Sequence, residues 1–250
     1  MKALVTGASS GIGRDISILL SKKGYDLILV ARRMEKLEEL KQTLSTKVQT
    51  ICLDLSKEEA CFELYEQVKN EDIDILINNA GFGIFGMFDG IDIHDELRLI
   101  DTNIKAVDIL TKLFLKDFKR RDSGYILNVA SSAAFLPGPL LSSYYASKAY
   151  VLRLTQAIYE ELRREGSRVY VGTLCPGPVD TEFNQTANVK MSLKGLTSQY
   201  VADYAIKQML KRKLTIIPGT TMKLAVLFQK FVPEKLLLRI AYHMQKKKEG

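Results

Sequence analysis

The chain has 250 residues, 46% of them hydrophobic and 26% charged, a balance that excludes disorder and a length that suits one large α/β domain or two small ones, with no need of a disulfide or metal staple. Its cysteines, Cys52, Cys61 and Cys175, lack zinc spacing, and its histidines, His94 and His243, are too few and too isolated for a metal site. The formal net charge of +7 gathers in residues 220–250, which hold seven Lys/Arg against two Glu; the nearly neutral remainder argues against a nucleic-acid groove.

The first half alternates short apolar runs with amphipathic stretches. KALVT (2–6) reads as a strand, and Ile12, Ile16, Leu19 and Leu20 then recur at helical spacing until Gly24. YDLILVA (25–31) is a second strand, followed by a helix marked by Met34, Leu37, Leu40 and Leu44. VQTICLDL (48–55) and IDILINN (73–79) are the third and fourth strands, separated by a helix reaching about Asn70. A long helix or broken pair is expected over 92–121, a strand at GYILNVAS (124–131), a helix over 143–165 and a strand at RVYVGTLC (168–175). Residues 177–197 lack periodicity and read as a loop or lid; a helix over 198–212 and the strand LTIIP (214–218) close the sheet. Helices of this length between strands predict right-handed βαβ units, and strands apolar throughout predict a parallel sheet covered on both faces.

TGASSGIG (6–13) joins the first strand to the first helix. Gly7, Gly11 and Gly13 let a phosphate approach the backbone, and the amides of the first helical turn point at it. A tight turn with packing glycines is the plainer alternative, but a strand before and a helix after are the context a dinucleotide loop demands. At the end of strand two an acid would bind the 2′-OH of NAD. Here stand Ala31, Arg32 and Arg33. A guanidinium suits a 2′-phosphate, so NADP(H) is expected, with Arg32 on that phosphate and Arg33 assisting; the competing reading makes both arginines the start of a solvated helix.

The three-residue gap between Gly7 and Gly11 resembles the TGxxxGxG of the short-chain dehydrogenase/reductase family, NADP-preferring type. NNAG (78–81), Asn103 in DTNIKA, NVAS (128–131), YYASK (144–148) and PGPVDT (176–181) follow in that family's order. The resemblance implies a Rossmann-like doubly wound parallel sheet flanked by helices, as a single domain (1–219) with a basic C-terminal helical extension (220–250). It also implies a nucleotide site formed by Gly7, Ser9, Ser10, Gly11, Ile12, Gly13, Arg32, Arg33, Asp54, Leu55, Asn79, Ala80 and Gly81. Pro176, Gly177, Val179 and Thr181 would lie over the nicotinamide. Asn103, Ser131, Tyr144 and Lys148 would be the catalytic set, with Tyr144 and Lys148 also touching the cofactor and Asn103 holding a water that links Lys148 to solvent. A homodimer or homotetramer through helices 92–121 and 143–165 is implied as well.

On a helix Tyr144 lies four residues before Lys148 and Tyr145 three, so either could approach it. The row from Tyr144 through Lys148, Val151, Thr155, Ile158 and Leu162 turns to the core, whereas the row from Tyr145 drifts to solvent. Tyr144 is therefore the better placed, as the family's YxxxK spacing also says, and Tyr145 becomes a packing or pocket-wall residue. A tyrosine titrates at about 10 in water; the Lys148 cation and the positive ring of the oxidised cofactor are expected to lower that value so that one phenol can give and take a proton. Ser131 would bind the substrate oxygen; Ser132 is its rival in the strand pattern. Ser142 and Ser143 are read as caps of the following helix, and Asp54 has helix capping as its plainer reading.

FGIFGMFDGI (82–91) and residues 182–197 are the expected substrate walls, and the first suggests an apolar carbonyl or alcohol, with core packing as the equal alternative. In the tail, Leu224, Leu227, Phe228 and Phe231 precede Pro233, and Leu236, Leu237, Ile240 and Met244 follow it. These read as two amphipathic helices expected to bury their stripes as packing or a lid, in preference to peripheral membrane contact. MKALVTGASS shows no secretory signal, so a cytoplasmic enzyme is expected. The leading function is hydride transfer between NADP(H) and a small-molecule carbonyl/alcohol pair. A nucleotide-sugar epimerase lacks its extended chain here, and a non-catalytic NADP(H)-binding sensor or scaffold need not keep Ser131, Tyr144 and Lys148 together.

Overall fold

A computed structural model describes residues 1–183 and 195–247. Seven parallel strands form its sheet: β1 (Lys2–Thr6), β2 (Asp26–Ala31), β3 (Val48–Cys52), β4 (Ile75–Asn78), β5 (Tyr125–Val129), β6 (Tyr170–Leu174) and β9 (Thr215–Ile216), in the order β3-β2-β1-β4-β5-β6-β9. The expected doubly wound fold is present. A separate parallel pair, β7 (Val179–Asp180) and β8 (Leu196–Thr197), lies in the stretch read as a loop.

Alternation along each strand sends successive side chains to opposite faces. Ala3, Val5, Leu27 and Leu29 meet Ile16 and Leu20 of α1 (Gly11–Lys22), Leu37 and Leu40 of α2 (Met34–Gln42), and Val201, Ile206 and Met209 of α7 (Ser198–Leu210). Leu4, Ile28 and Leu76 point the other way, onto Leu64 of α3 (Glu58–Val68), Phe114 and Phe118 of α5 (Ala106–Arg120), and Leu162 of α6 (Ser142–Arg164). Both faces are dry, which is why the strands read as unbroken apolar runs.

The helix expected over 92–121 runs as α4 (Ile93–Ile100), a wider π turn at Asp101–Lys105, and α5. Ser142 and Ser143 do not cap α6: Leu141 takes the cap position without a side-chain bond, and Ser143 Oγ instead donates to Glu96 Oε1 at 2.7 Å, pinning α4 to the start of α6. The tail forms α8 (Thr220–Phe228) and α9 (Glu234–Lys246). Among the described residues no helix is long and apolar enough to cross a membrane. Most of the expected substrate wall 182–197, residues 184–194, lies outside the described residues.

Candidate active site

The expected site residues collect at the C-terminal edge of the sheet, where the winding reverses between β1 and β4. Gly7, at φ +63°, is left-handed; a Cβ there would fall 2.8 Å from Ala80 Cα. A Cβ on Gly13 would meet both Asn79 Nδ2 and the Gly7 carbonyl at 2.4 Å, so bare backbone is needed at both places. Asn79 Nδ2 donates to the carbonyls of Thr6 and Gly7, each at 3.1 Å. Thr6 Oγ1 in turn accepts from the backbone N–H groups of Asn79 and Ala80, at 3.0 and 3.1 Å. The NNAG stretch thus braces the glycine loop from β4. Ser10 precedes α1 without a side-chain cap and no acid follows in the first turn, so the start of α1, with Ile12 and Gly13, suits an anion.

An acidic group already sits in this corner. Glu182 pairs with Arg33 Nη2 at 2.8 Å, and Arg33 first, then Ser10, hold its carboxyl below the usual range. Arg33 Nη2 also donates to Ser9 Oγ at 3.2 Å. Ser9, Ser10, Gly11, Arg14, Lys36 and Glu182 border a cleft of about 400 Å³. Arg32 is exposed and makes no ion pair among the described residues; its carbonyl accepts from the Cys52 thiol. The donors around Ser9 and Ser10 and the bare glycine cradle fit a dinucleotide phosphate. Asp54 turns back on Ser56, accepting from its N–H and hydroxyl at 3.1 and 2.9 Å, and α3 starts after Lys57, so Asp54 is not its cap. Leu55 is buried beside it. Thr181 packs against Gly11, Met222 of α8 rests on Gly177, and Val179 and Pro176 are buried in the same loop.

The expected catalytic residues Ser131, Tyr144 and Lys148 come from the end of β5 and the start of α6. Lys148, Val151, Thr155 and Leu162 are buried along the inward row of α6 that starts at Tyr144. Lys148 Nζ donates to the Val129 carbonyl at 3.0 Å and lies 5.8 Å from the centre of the Tyr144 ring. A Cβ on Gly81 would fall 3.2 Å from that ammonium and 2.9 Å from Asn103 Oδ1, so β4, the π turn and α6 converge here. Ser131 accepts from Ala133 N–H at 3.1 Å and hydrogen-bonds the Tyr144 phenol. Ser132 is engaged elsewhere, its N–H donating to the Pro176 carbonyl at 2.7 Å. Of the two serines, Ser131 is the one brought to the tyrosine.

Electrostatics here run against expectation. Burial pushes the Tyr144 phenol up to about 12, outweighing the Ser131 hydrogen bond. Burial also pulls Lys148 down to about 8. Each group loses hydration for its charged form before any mutual help is felt, so the protein's own groups do not acidify the phenol. Asn103 is fully buried, its Oδ1 accepts from Phe82 N–H at 3.1 Å, and its Nδ2 donates to the Phe82 carbonyl at 2.9 Å and Ser147 Oγ at 3.0 Å. That side chain ties the segment after β4 to α6.

Three contacts were beyond the reach of sequence reasoning. Phe183 packs on the Tyr144 ring at 5.2 Å between centres. Glu182 occupies the Arg33 corner. Gln245 of α9 donates to the Tyr145 hydroxyl across 100 residues of chain, and no local pattern signals such a pair. Met87 and Phe88, at 58% and 64% exposure, lie outside the core, which removes the packing alternative for those two.

A glycine cradle at a topological switch point, beside a Ser–Tyr–Lys cluster under the same sheet edge, defines a nucleotide-binding oxidoreductase. The chain belongs to the short-chain dehydrogenase family, whose family model matches residues 1–192. It is 34% identical over 199 residues to human (Homo sapiens) 17-beta-hydroxysteroid dehydrogenase type 3, a match covering 77% of this chain and 63% of that protein. An uncharacterised oxidoreductase of Staphylococcus epidermidis is 33% identical over 211 residues, covering 82% of this chain and 90% of the other. Among solved structures, a short-chain dehydrogenase from Sphingobium yanoikuyae in complex with NADPH superposes with a TM-score of 0.82 at 31% identity, over 88% of each chain.

Proposed function

We propose that this chain transfers hydride between NADP(H) and an apolar carbonyl/alcohol pair, with Tyr144 as general acid and base. The observation that carries the reading is the convergence of Ser131, Tyr144 and Lys148 beside the glycine cradle, with Lys148 buried and Tyr144 half-buried. The bound cofactor supplies the hydride chemistry at its nicotinamide. Ser131 donates to the substrate oxygen and shares its developing charge. Tyr144 gives that oxygen its proton in reduction and takes it back in oxidation. Lys148, held on the Val129 carbonyl, contacts the cofactor beside Tyr144, and Asn103 acts as a positioning residue through Phe82 and Ser147.

NADP(H) is favoured over NAD(H) by Arg32 and Arg33 at the end of β2, by the absence of an acid there, and by the NADPH complex of the Sphingobium yanoikuyae relative. Asp54 and Leu55 border the adenine in this reading, and Val179 and Thr181 the carboxamide and phosphate. Phe82, Phe85 and Phe183 line the substrate side and suit a bulky apolar carbonyl, in keeping with the hydroxysteroid named for the human relative. Residues 1–219 form the catalytic unit and 220–250 an extension. Free Cys52, Cys61 and Cys175 fit a reducing compartment. Assembly as a homodimer or homotetramer would use α4–α5 and α6. A carbonyl panel run in parallel with NADPH and NADH tests the reading: turnover with preference for NADPH supports it, preference for NADH overturns the arginine assignment, and cofactor binding without turnover indicates a sensor.

A further inference from the structure

The tail helices turn their apolar stripes away from the body. Leu224, Leu227 and Phe228 are 53, 50 and 60% exposed, and Phe231, just beyond α8, is 78% exposed. Their spacing of i, i+3, i+4 and i+7 places them on one face. On α9, Leu236, Ile240 and Met244, at i, i+4 and i+8, are 49, 42 and 52% exposed. Seating on the body is done by other residues. Val226 and Ala241 are buried, Met222 rests on Gly177, Gln229 Nε2 donates to the Phe135 carbonyl at 3.1 Å, and Gln245 donates to Tyr145. The expectation that these stripes pack on the chain's own body is therefore corrected for seven of the eight named residues, Leu237 alone being half-buried, while Met222, Val226, Gln229, Ala241 and Gln245 face in.

Cations flank the stripes. Lys223, Lys230, Lys235, Arg239, Lys246 and Lys247 stand against a single acid, Glu234, in residues 220–247. None of the six makes an ion pair among the described residues. Lys223 Nζ donates to the Tyr204 hydroxyl at 2.8 Å. Exposed apolar area on this scale marks an interaction surface, and a rim of cations without an acidic partner states the charge of what it meets. We propose that α8 and α9 dock the protein on the surface of an anionic lipid bilayer, with the apolar stripes in the headgroup–acyl boundary and the cations on lipid phosphates. A second copy of the chain docked on the same face would set two strongly positive segments against each other. Spanning is excluded for these helices by length and polarity, so they lie on the membrane. The inner side of the same helices holds the Phe135 carbonyl and Tyr145, whose ring lies 6.0 Å from that of Tyr144, so docking would bring the site close to the lipid phase; delivery of an apolar substrate from there rests on the proposed function.

The full chain floated with vesicles is the test, and it reads docking independently of turnover. Vesicles of phosphatidylcholine mixed with phosphatidylserine should carry the protein up a density gradient. Binding should be about tenfold weaker or more with phosphatidylcholine alone, and weaker again at high salt. The triple variant Phe228→Ser, Phe231→Ser, Ile240→Ser should lose about tenfold or more in vesicle binding, with circular dichroism and carbonyl turnover unchanged. Wild-type protein that stays at the bottom with mixed vesicles overturns the proposal, as does a triple variant that floats like wild type. Light scattering that shows a wild-type oligomer split by the same triple variant assigns the face to a second copy and overturns it too.

Discussion

Lys148 is carried into a site where its charge is costly, and that cost is measurable. Its folded value, about 8, lies below the ordinary 10.5. Between those values the unfolded chain binds more protons than the folded one, so this residue makes stability rise with pH across that window, and its full penalty applies below about 8. Lys148→Met should therefore raise the unfolding free energy at pH 7 by on the order of 2 kcal/mol, after allowing for the lost bond to the Val129 carbonyl. The same variant should flatten the rise above pH 8 and abolish turnover; urea unfolding of both proteins across pH checks the sign. Glu182 makes a second residue-scale prediction. Its carboxylate holds Arg33 and on the proposed reading would compete with the cofactor's 2′-phosphate, so Glu182→Gln should tighten NADPH binding by about threefold, the scale of an exposed ion pair, and leave NADH unchanged. Fluorescence titration of the reduced nicotinamide measures both. The YxxxK spacing and the inward row of α6 made Tyr144 and Lys148 legible in the sequence, because helical periodicity states which side chains face the sheet. Their protonation was not legible, since it depends on how much water each loses, and that is set by Phe183, Tyr145 and the packed sheet edge together.

Elements are held in register beneath the site by a buried polar chain. Asn78 Nδ2 donates to Thr111 Oγ1 at 3.1 Å and to Asn128 Oδ1 at 2.9 Å, and Asn128 Nδ2 donates to Thr155 Oγ1 at 3.0 Å. These bonds join β4, α5, β5 and α6, the elements that deliver Asn103, Ser131, Tyr144 and Lys148. Buried partners left unpaired cost about 1–3 kcal/mol each. Asn128→Ala should thus destabilise the protein by about 2–4 kcal/mol and lower kcat more than it raises the cofactor dissociation constant, as thermal melts and steady-state kinetics would show. Strands and helices of the first half were legible because apolar runs and 3.6-residue spacing are local signals. Helix starts were less so. Ser142 has the chemistry of a cap, yet Ser143 spends its hydroxyl on Glu96, a partner 47 residues distant in sequence. The π turn around Asn103 left no mark in the apolar pattern either.

At the scale of the whole molecule, the doubly wound sheet follows from apolar strands separated by amphipathic helices, and its switch point gathers the cradle and the Ser–Tyr–Lys cluster from five separate stretches of chain. The tail shows the opposite case. Its periodicity indicated two amphipathic helices, but periodicity does not say which face meets the body, and here Met222, Val226, Gln229, Ala241 and Gln245 hold the inner side. Turnover is the property that integrates all of this, and Tyr144→Phe probes it with the loss of one oxygen. Steady-state reduction of an active carbonyl with NADPH, alongside NADPH binding, is the most direct measurement. A fall in kcat of about 10²–10⁴-fold with cofactor binding preserved is the predicted result; turnover retained at the wild-type level would contradict the account.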